Sequence, residues 1–327
     1  MLRSCSVRTV VRADGAALER ILDTTYPARH QGLSRPAFGR YDAALRRTAW
    51  ALGHEERLAL VEDGDVLASA QRRDLTATLD EREMRVCGIG SVFADRANGD
   101  AGYARELVDR LLDDAKAAYD LAILAVTPAQ RSLFSHGFDV IPTLDLEIRV
   151  EESSRRGAPM TLVRGGEDRD LAAIVAMGRA RATPFRFHLN RDEHLVKYAI
   201  TAKRLLAGLG ADGVRQLRFV IAEEGITAAA YAVISILDGT WTIEECGDRD
   251  PTGARVGAIL QALIAREPAE RRPVIRAWLA PGFAPPQVTV VSSRPSEDVL
   301  MLKVLNSTID PPRLSAADVL YWRSDIF

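Results

Sequence analysis

The sequence predicts an α/β (α+β) protein of two domains, each a mixed, mostly antiparallel sheet flanked by helices. Three observations carry this expectation. The chain has 327 residues, more than one core ordinarily serves. A run of strands joined by turn signals passes through a glycine loop into a long amphipathic helix and then an apolar strand. The same order of elements returns at a spacing of about 150 residues with little residue identity, as two copies of one fold would show.

Each element has a local reason. Ser6 to Val11 is a short apolar strand, and Asp14 is placed to cap a helix through Leu22. TTYPARHQGLSRP, with Pro27, Gly32 and Pro36, reads as loop, and Leu45 to Leu52 as helix. Leu58 to Glu62 and Val66 to Leu79 are strands. Asp63-Gly64 turns between them, because glycine accepts the positive φ of a tight hairpin. Met84 to Ala94 is the third strand of this antiparallel set. In the following helix Leu107, Val108, Leu111, Leu112, Ala115 and Tyr119 form one apolar face. DLAILAV, Asp120 to Val126, is a buried strand. A short helix from Pro128 leads to Gly137-Phe138, and a strand from Phe138 to Val150 closes the first domain, residues 1–150.

EESSRRGAP, residues 151–159, is charged and aperiodic and reads as a linker to a second domain, residues 160–327. Met160 to Val163 is a strand and Asp168 to Ala180 a helix, followed by a polar section. Leu217 to Glu223 and Thr227 to Ile236 pair across a glycine turn, and TWTIEECGDRD follows Asp238-Gly239. GARVGAILQALIA puts Val256, Ile259, Leu260, Leu263 and Ile264 on one helical face, and PVIRAWL is a strand.

Composition excludes several classes of function. With 47% hydrophobic and 27% charged residues and a formal charge of −2, there is no general electrostatic attraction to nucleic acid or anionic membrane. Three scattered cysteines, Cys5, Cys87 and Cys246, read as reduced thiols and lack metal-ligand spacing. No apolar run approaches the roughly 20 residues of a membrane helix, and MLRSCSVRTVVRADG lacks the apolar core of a signal peptide, so a cytoplasmic protein is expected. TPFRFHLNRDEHLVKY mixes aromatics, Arg186, Arg191, His188 and His194, but Asp192 and Glu193 argue against a nucleic-acid patch and no metal site is expected.

GIGSVFA, then GYARELVDRLL, then LAILAV, then Gly137-Phe138 together resemble the GCN5-related N-acetyltransferase (GNAT) superfamily, over about 145 residues of the first half. The second half resembles a degenerate copy, and tandem proteins of this kind include mycothiol synthase and Eis-type enzymes. The resemblance implies acetyl-CoA, or another acyl-CoA, as cosubstrate, with no metal. It also implies a primary amine acceptor on a small molecule or a lysine. The implied cofactor-binding residues are Ser91, Val92, Phe93 and Ala94 on the strand and Gly99, Asp100, Ala101, Gly102, Tyr103 and Ala104 at the loop and helix start. A helix N-terminus there offers unpaired N–H groups to a pyrophosphate.

Two positions depart from the family pattern Arg/Gln-x-x-Gly-x-Gly/Ala and its tyrosine acid. Gly99 stands where a basic or amide side chain is usual, with Asp100 beside it, and Leu133 stands at the tyrosine. His136 and Tyr103 are the remaining candidates for the catalytic proton donor, with Ser135 nearby. The departures keep an alternative open: a non-catalytic GNAT-like protein that binds a ligand or a partner. His30 lies in the region that borders the acceptor in the family. In the second half Arg255 fills the place of the first small residue, so no acetyl-CoA is expected there. Glu244, Glu245 and Asp248 read as a solvated strand end or as a holder of a cationic substrate. Tyr321, Trp322 and Phe327 read as a packed tail.

Overall fold

The structure is a computed structural model. It describes residues 7–94, 101–126, 137–141, 144–151, 162–296, 299–310, 312–322 and 325, without the side chains of residues 101 and 271. In chain order the elements are β1 (Thr9–Arg12), α1 (Gly15–Arg29), α2 (Arg35–Arg46), α3 (Ala49–His54), β2 (Glu55–Glu62), β3 (Asp65–Leu79), β4 (Arg82–Ala94), α4 (Ala101–Ala115), β5 (Leu121–Val126) and β6 (Asp139–Ile141). There follow β7 (Leu144–Val150), β8 (Leu162–Gly165), α5 (Leu171–Ala182), β9 (Phe187–Leu189), α6 (Glu193–Leu209), β10 (Arg215–Glu224), β11 (Thr227–Leu237), β12 (Thr240–Asp248), α7 (Ala254–Ile264), β13 (Ile275–Ala277), β14 (Val288–Pro295), β15 (Val299–Val304) and β16 (Val319–Leu320).

The strands run β1-β2-β3-β4-β5-β15-β6 in one sheet and β8-β10-β11-β12-β13-β7-β14 in the other. These are the same order twice. In each, one central pair is parallel, β4 with β5 and β12 with β13, and the last strands are antiparallel. The closing strands are exchanged: β7, from the first half of the chain, completes the second sheet, and β15 completes the first. The compact units are accordingly 1–142 with 297–314 and 143–296 with 315–325. The expected strand Phe138 to Val150 is two strands in different sheets. Pro142, which has no N–H to give a ladder, lies between them. The short helix from Pro128 and the linker 152–159 lie outside the described residues.

In the first unit α4 packs Leu107, Leu111 and Ala115 on Leu60, Cys87, Ile89, Leu124 and Met301, all fully buried. In the second, Ile174, Val196, Ile200, Ile221 and Tyr231 form the corresponding core. Helix α1 continues past Leu22 and through Pro27 to Arg29, because Ile21, Leu22 and Thr25 keep one face buried. Asp14 precedes it without a side-chain cap, whereas Ser34 and Thr48 cap α2 and α3 by accepting from Ala37 N and Ala51 N. The polar section of the second half holds α6, capped by Asp192 and buried through Leu195, Val196, Ala199 and Ile200. Among the described residues no helix is long and apolar enough to cross a membrane.

Candidate functional site

Strands β3 and β4 pair in register from Leu79↔Arg82 to Gln71↔Gly90, and then Ser69 faces Phe93. Ser91 and Val92 thus oppose the single residue Ala70, a β-bulge. Ser91 takes φ +51, left-handed for a non-glycine residue. The extra residue changes the phase of the strand. Cys87 and Ile89 face α4 before it and Val92 faces α4 after it, while Ser91 turns to the other side of the sheet. Strand β5 pairs with β4 only as far as Ile89↔Leu124, although β4 continues to Ala94. Beyond that point the β5-facing edge of β4 has no strand partner among the described residues. Its N–H and C=O groups are available to an extended ligand or a carbonyl oxygen. The strand leads toward α4, whose first turn exposes Gly102 and buries Ala104. Small residues at a helix start let an anion approach its unpaired N–H groups, and among the described residues no side chain caps this one.

On the sheet face away from α4 lies a cluster of polar side chains. Arg57 is in register with Gln71, and Glu55 with Arg73. Ser91 Oγ donates to Gln71 Oε1 at 3.1 Å and accepts from Arg29 Nη1, at the last residue of α1. Arg57 pairs with Asp42, which also takes Arg46 at 2.7 Å, and Arg73 pairs with Glu55 at 3.3 Å over the Trp50 ring. Burial pushes the Tyr41 phenol up to about 12, so it stands as a neutral hydroxyl. The Arg29 guanidinium is held below its usual range by desolvation and then by Arg57 and Arg73.

Of the residues expected from the sequence, Val92 is buried and Ser91, Phe93 and Ala94 are half-buried around the bulge. Ala101, Gly102 and Ala104 form the start of α4. Tyr103 packs against the core with Arg8 over its ring at 4.9 Å. Gly99, Asp100, Leu133, Ser135 and His136 lie outside the described residues. His30 ends α1 with its Nδ1 accepting from Gly32 N at 2.9 Å. Sequence reasoning missed Arg29, Tyr41, Arg57, Gln71 and Arg73. The available signal was polar Ser69, Gln71 and Arg73 at alternate positions of one strand, with Ala68 and Ala70 on either side of the first of them.

The second sheet repeats the geometry and fills it. Here β12 carries the bulge, at Glu244, between the pairs Val233↔Glu245 and Ile234↔Ile243. It pairs with β13 only through Ile243↔Ala277. Glu244 takes Lys203 at 3.0 Å. Glu245 takes both arms of Arg191, at 2.8 and 2.9 Å, and the Tyr231 hydroxyl at 2.6 Å. Asp325 binds the other side of Arg191 at 3.0 Å. Desolvation and the Glu245 charge raise the Tyr231 phenol well above its usual range. At the start of α7, Asp248 Oδ2 accepts from the N–H of Arg255 at 2.8 Å and of Val256 at 3.3 Å. A carboxylate of the chain itself therefore occupies the place where a ligand phosphate would bind. Glu244, Glu245 and Asp248 are buried and internally paired, so the expectation of a solvated strand end does not hold.

The chain has the fold of the GCN5-related N-acetyltransferases. A GCN5-related N-acetyltransferase from Kribbella flavida superposes with a TM-score of 0.64 at 17% identity, over 92% of this chain and 72% of that one. A conserved protein of unknown function from Enterococcus faecalis, a probable N-acyltransferase, gives 0.64 at 14% over 92% and 73%. Eis1 from Mycobacterium abscessus gives 0.57 at 15% over 91% and 74%. The two sheets fit a tandem arrangement of this fold. No family model and no curated protein matches the sequence.

Proposed function

We propose that the first unit is an acyl-CoA-dependent N-acyltransferase, moving acetyl from acetyl-CoA to a primary amine of a small molecule or a lysine. The observation that carries this reading is the bulged end of β4, without a strand partner on its β5 side among the described residues, leading toward a helix start of small residues. The equivalent helix start in the second unit is plugged by Asp248, so that unit has a structural or acceptor-shaping role.

The N–H groups of β4 beyond the bulge polarise the thioester carbonyl. The amine nitrogen attacks that carbon, the C–N bond forms and the C–S bond breaks. One proton leaves the amine and one reaches the departing thiolate. Leu133 cannot supply it, so His136, Tyr103 or water does, and general acid catalysis worth about 10²–10⁴-fold is the part at stake.

Calorimetric titration with acetyl-CoA and with CoA tests the reading. One site of micromolar affinity is expected. No binding up to millimolar concentration would overturn it. Gly99, Asp100 and Leu133 would then stand as marks of the second reading, a GNAT-like protein that binds another ligand or a partner.

A further inference from the structure

The cluster beside the bulge gathers Arg29, Arg57 and Arg73, with Arg46 sharing Asp42, against two carboxylates, Asp42 and Glu55. Arg57 and Arg73 are paired with those carboxylates. Arg29 is not: among the described residues its guanidinium donates to the Ser91 hydroxyl, and Arg57 and Arg73 act on it as like charges. A half-buried cation among like charges costs stability that a bound anion would recover. Ser91 is also the bulge residue, so the cation stands at the end of β4 where the thioester carbonyl of the proposed reaction would lie.

We infer that the acceptor is a small amine that carries a carboxylate, and that Arg29 holds the carboxylate. The inference rests on the acyl-transfer reading for the fate of the amine, and on the arginine cluster alone for the anion. The positive surroundings have a second effect. They disfavour an ammonium ion, so a bound amine gives up its proton more readily and presents the lone pair that attacks the thioester. Among the described residues the cluster offers a polycation such as spermidine only two carboxylates, Asp42 and Glu55, both already engaged.

The probes are a panel of α-amino acids, the same compounds as carboxamides, and spermidine. Binding to the full chain is measured in the presence of CoA, alongside the acetyl-CoA titration, and then acetylation is measured. An amino acid is expected to be used about 10- to 100-fold more efficiently than its carboxamide, the range of one charge-assisted hydrogen bond. Arg29→Gln is expected to abolish that preference through KM rather than kcat, Arg29→Lys to keep part of it, and Arg35→Gln, on the exposed Asp23 pair, to change nothing. Arg29→Gln is also expected to leave Tm unchanged or higher, whereas a merely structural arginine would lower it. Preference for the carboxamide or spermidine, a preference that survives Arg29→Gln, or no binding by any amino acid would overturn the inference. Arg29-dependent amino acid binding without acetyl-CoA binding would overturn the acyl-transfer reading and leave the anion site standing.

Discussion

Ser91 joins backbone strain to the arginine cluster. A non-glycine residue at positive φ costs on the order of 1–2 kcal/mol, and here the hydroxyl links Arg29 to Gln71. Ser91→Ala keeps the strain and loses both bonds, and should destabilise the fold by about 1–2 kcal/mol. Ser91→Gly loses the same bonds but relieves the backbone, and should cost less than Ser91→Ala by roughly 1 kcal/mol. Urea denaturation of the pair measures the difference. In the second unit a Cβ on Gly247 would lie 2.5 Å from the Tyr231 ring, which is pinned by Glu245. Gly247→Ala should therefore cost about 1–3 kcal/mol as overpacking. The sequence named Ser91 as part of the site but not for its side chain. Its partner Arg29 is 62 residues away, and no local pattern contains that distance.

At the level of elements, legibility followed locality. The Asp63-Gly64 hairpin, β3, β4, α4 and β5 were readable because turn chemistry and periodicity lie within each segment. Helix α6 was not, since its lysines, histidine and arginine mask an apolar face seen only once the sheet packs against it. The plug at α7 was half readable: Arg255 announced a blocked loop, but Asp248 caps the helix only because the end of β12 brings it back to the start of α7, seven residues on. Asp248→Ala should cost about 1–2 kcal/mol by orphaning two helix N–H groups. It should not create acetyl-CoA binding in a chain whose first site is disabled, because Arg255 still fills the loop; thermal denaturation and calorimetry read the two effects. Before α5, Asp170 receives both arms of Arg164, at 2.8 and 2.7 Å, and Glu167 N. Desolvation raises its pKa, but the Arg164 and Glu167 hydrogen bonds outweigh it and the carboxyl sits below its usual range. A depressed carboxyl contributes stability above its unfolded pKa and loses it as pH falls through the folded value. Asp170→Asn should lower stability at neutral pH and flatten the acid limb of a stability-against-pH curve.

For the whole molecule, the order of elements was legible but the membership of the sheets was not, because a strand does not encode which distant strand it joins. The register shows how the exchange arises. In the first sheet Ile141 pairs with Leu300, and in the second Leu144 pairs with Pro295. Each pair is the closing end of an antiparallel hairpin, so two ordinary hairpins would connect residue 141 to 300 and residue 295 to 144. The chain instead runs from β6 into β7 and from β14 into β15, crossing from sheet to sheet at both points. A fragment of residues 1–150, the domain the sequence suggests, lacks the strand between β5 and β6 and exposes the edge of β5, with Met301 missing from its core. It should show no cooperative thermal transition. Residues 1–141 joined by a two-residue Asn-Gly turn to residues 300–310 restore the hairpin without crossing. That chain should unfold cooperatively and retain whatever acetyl-CoA affinity the full protein has. A cooperative 1–150 fragment with the same affinity would show that β15 is dispensable and that the crossing has no energetic role.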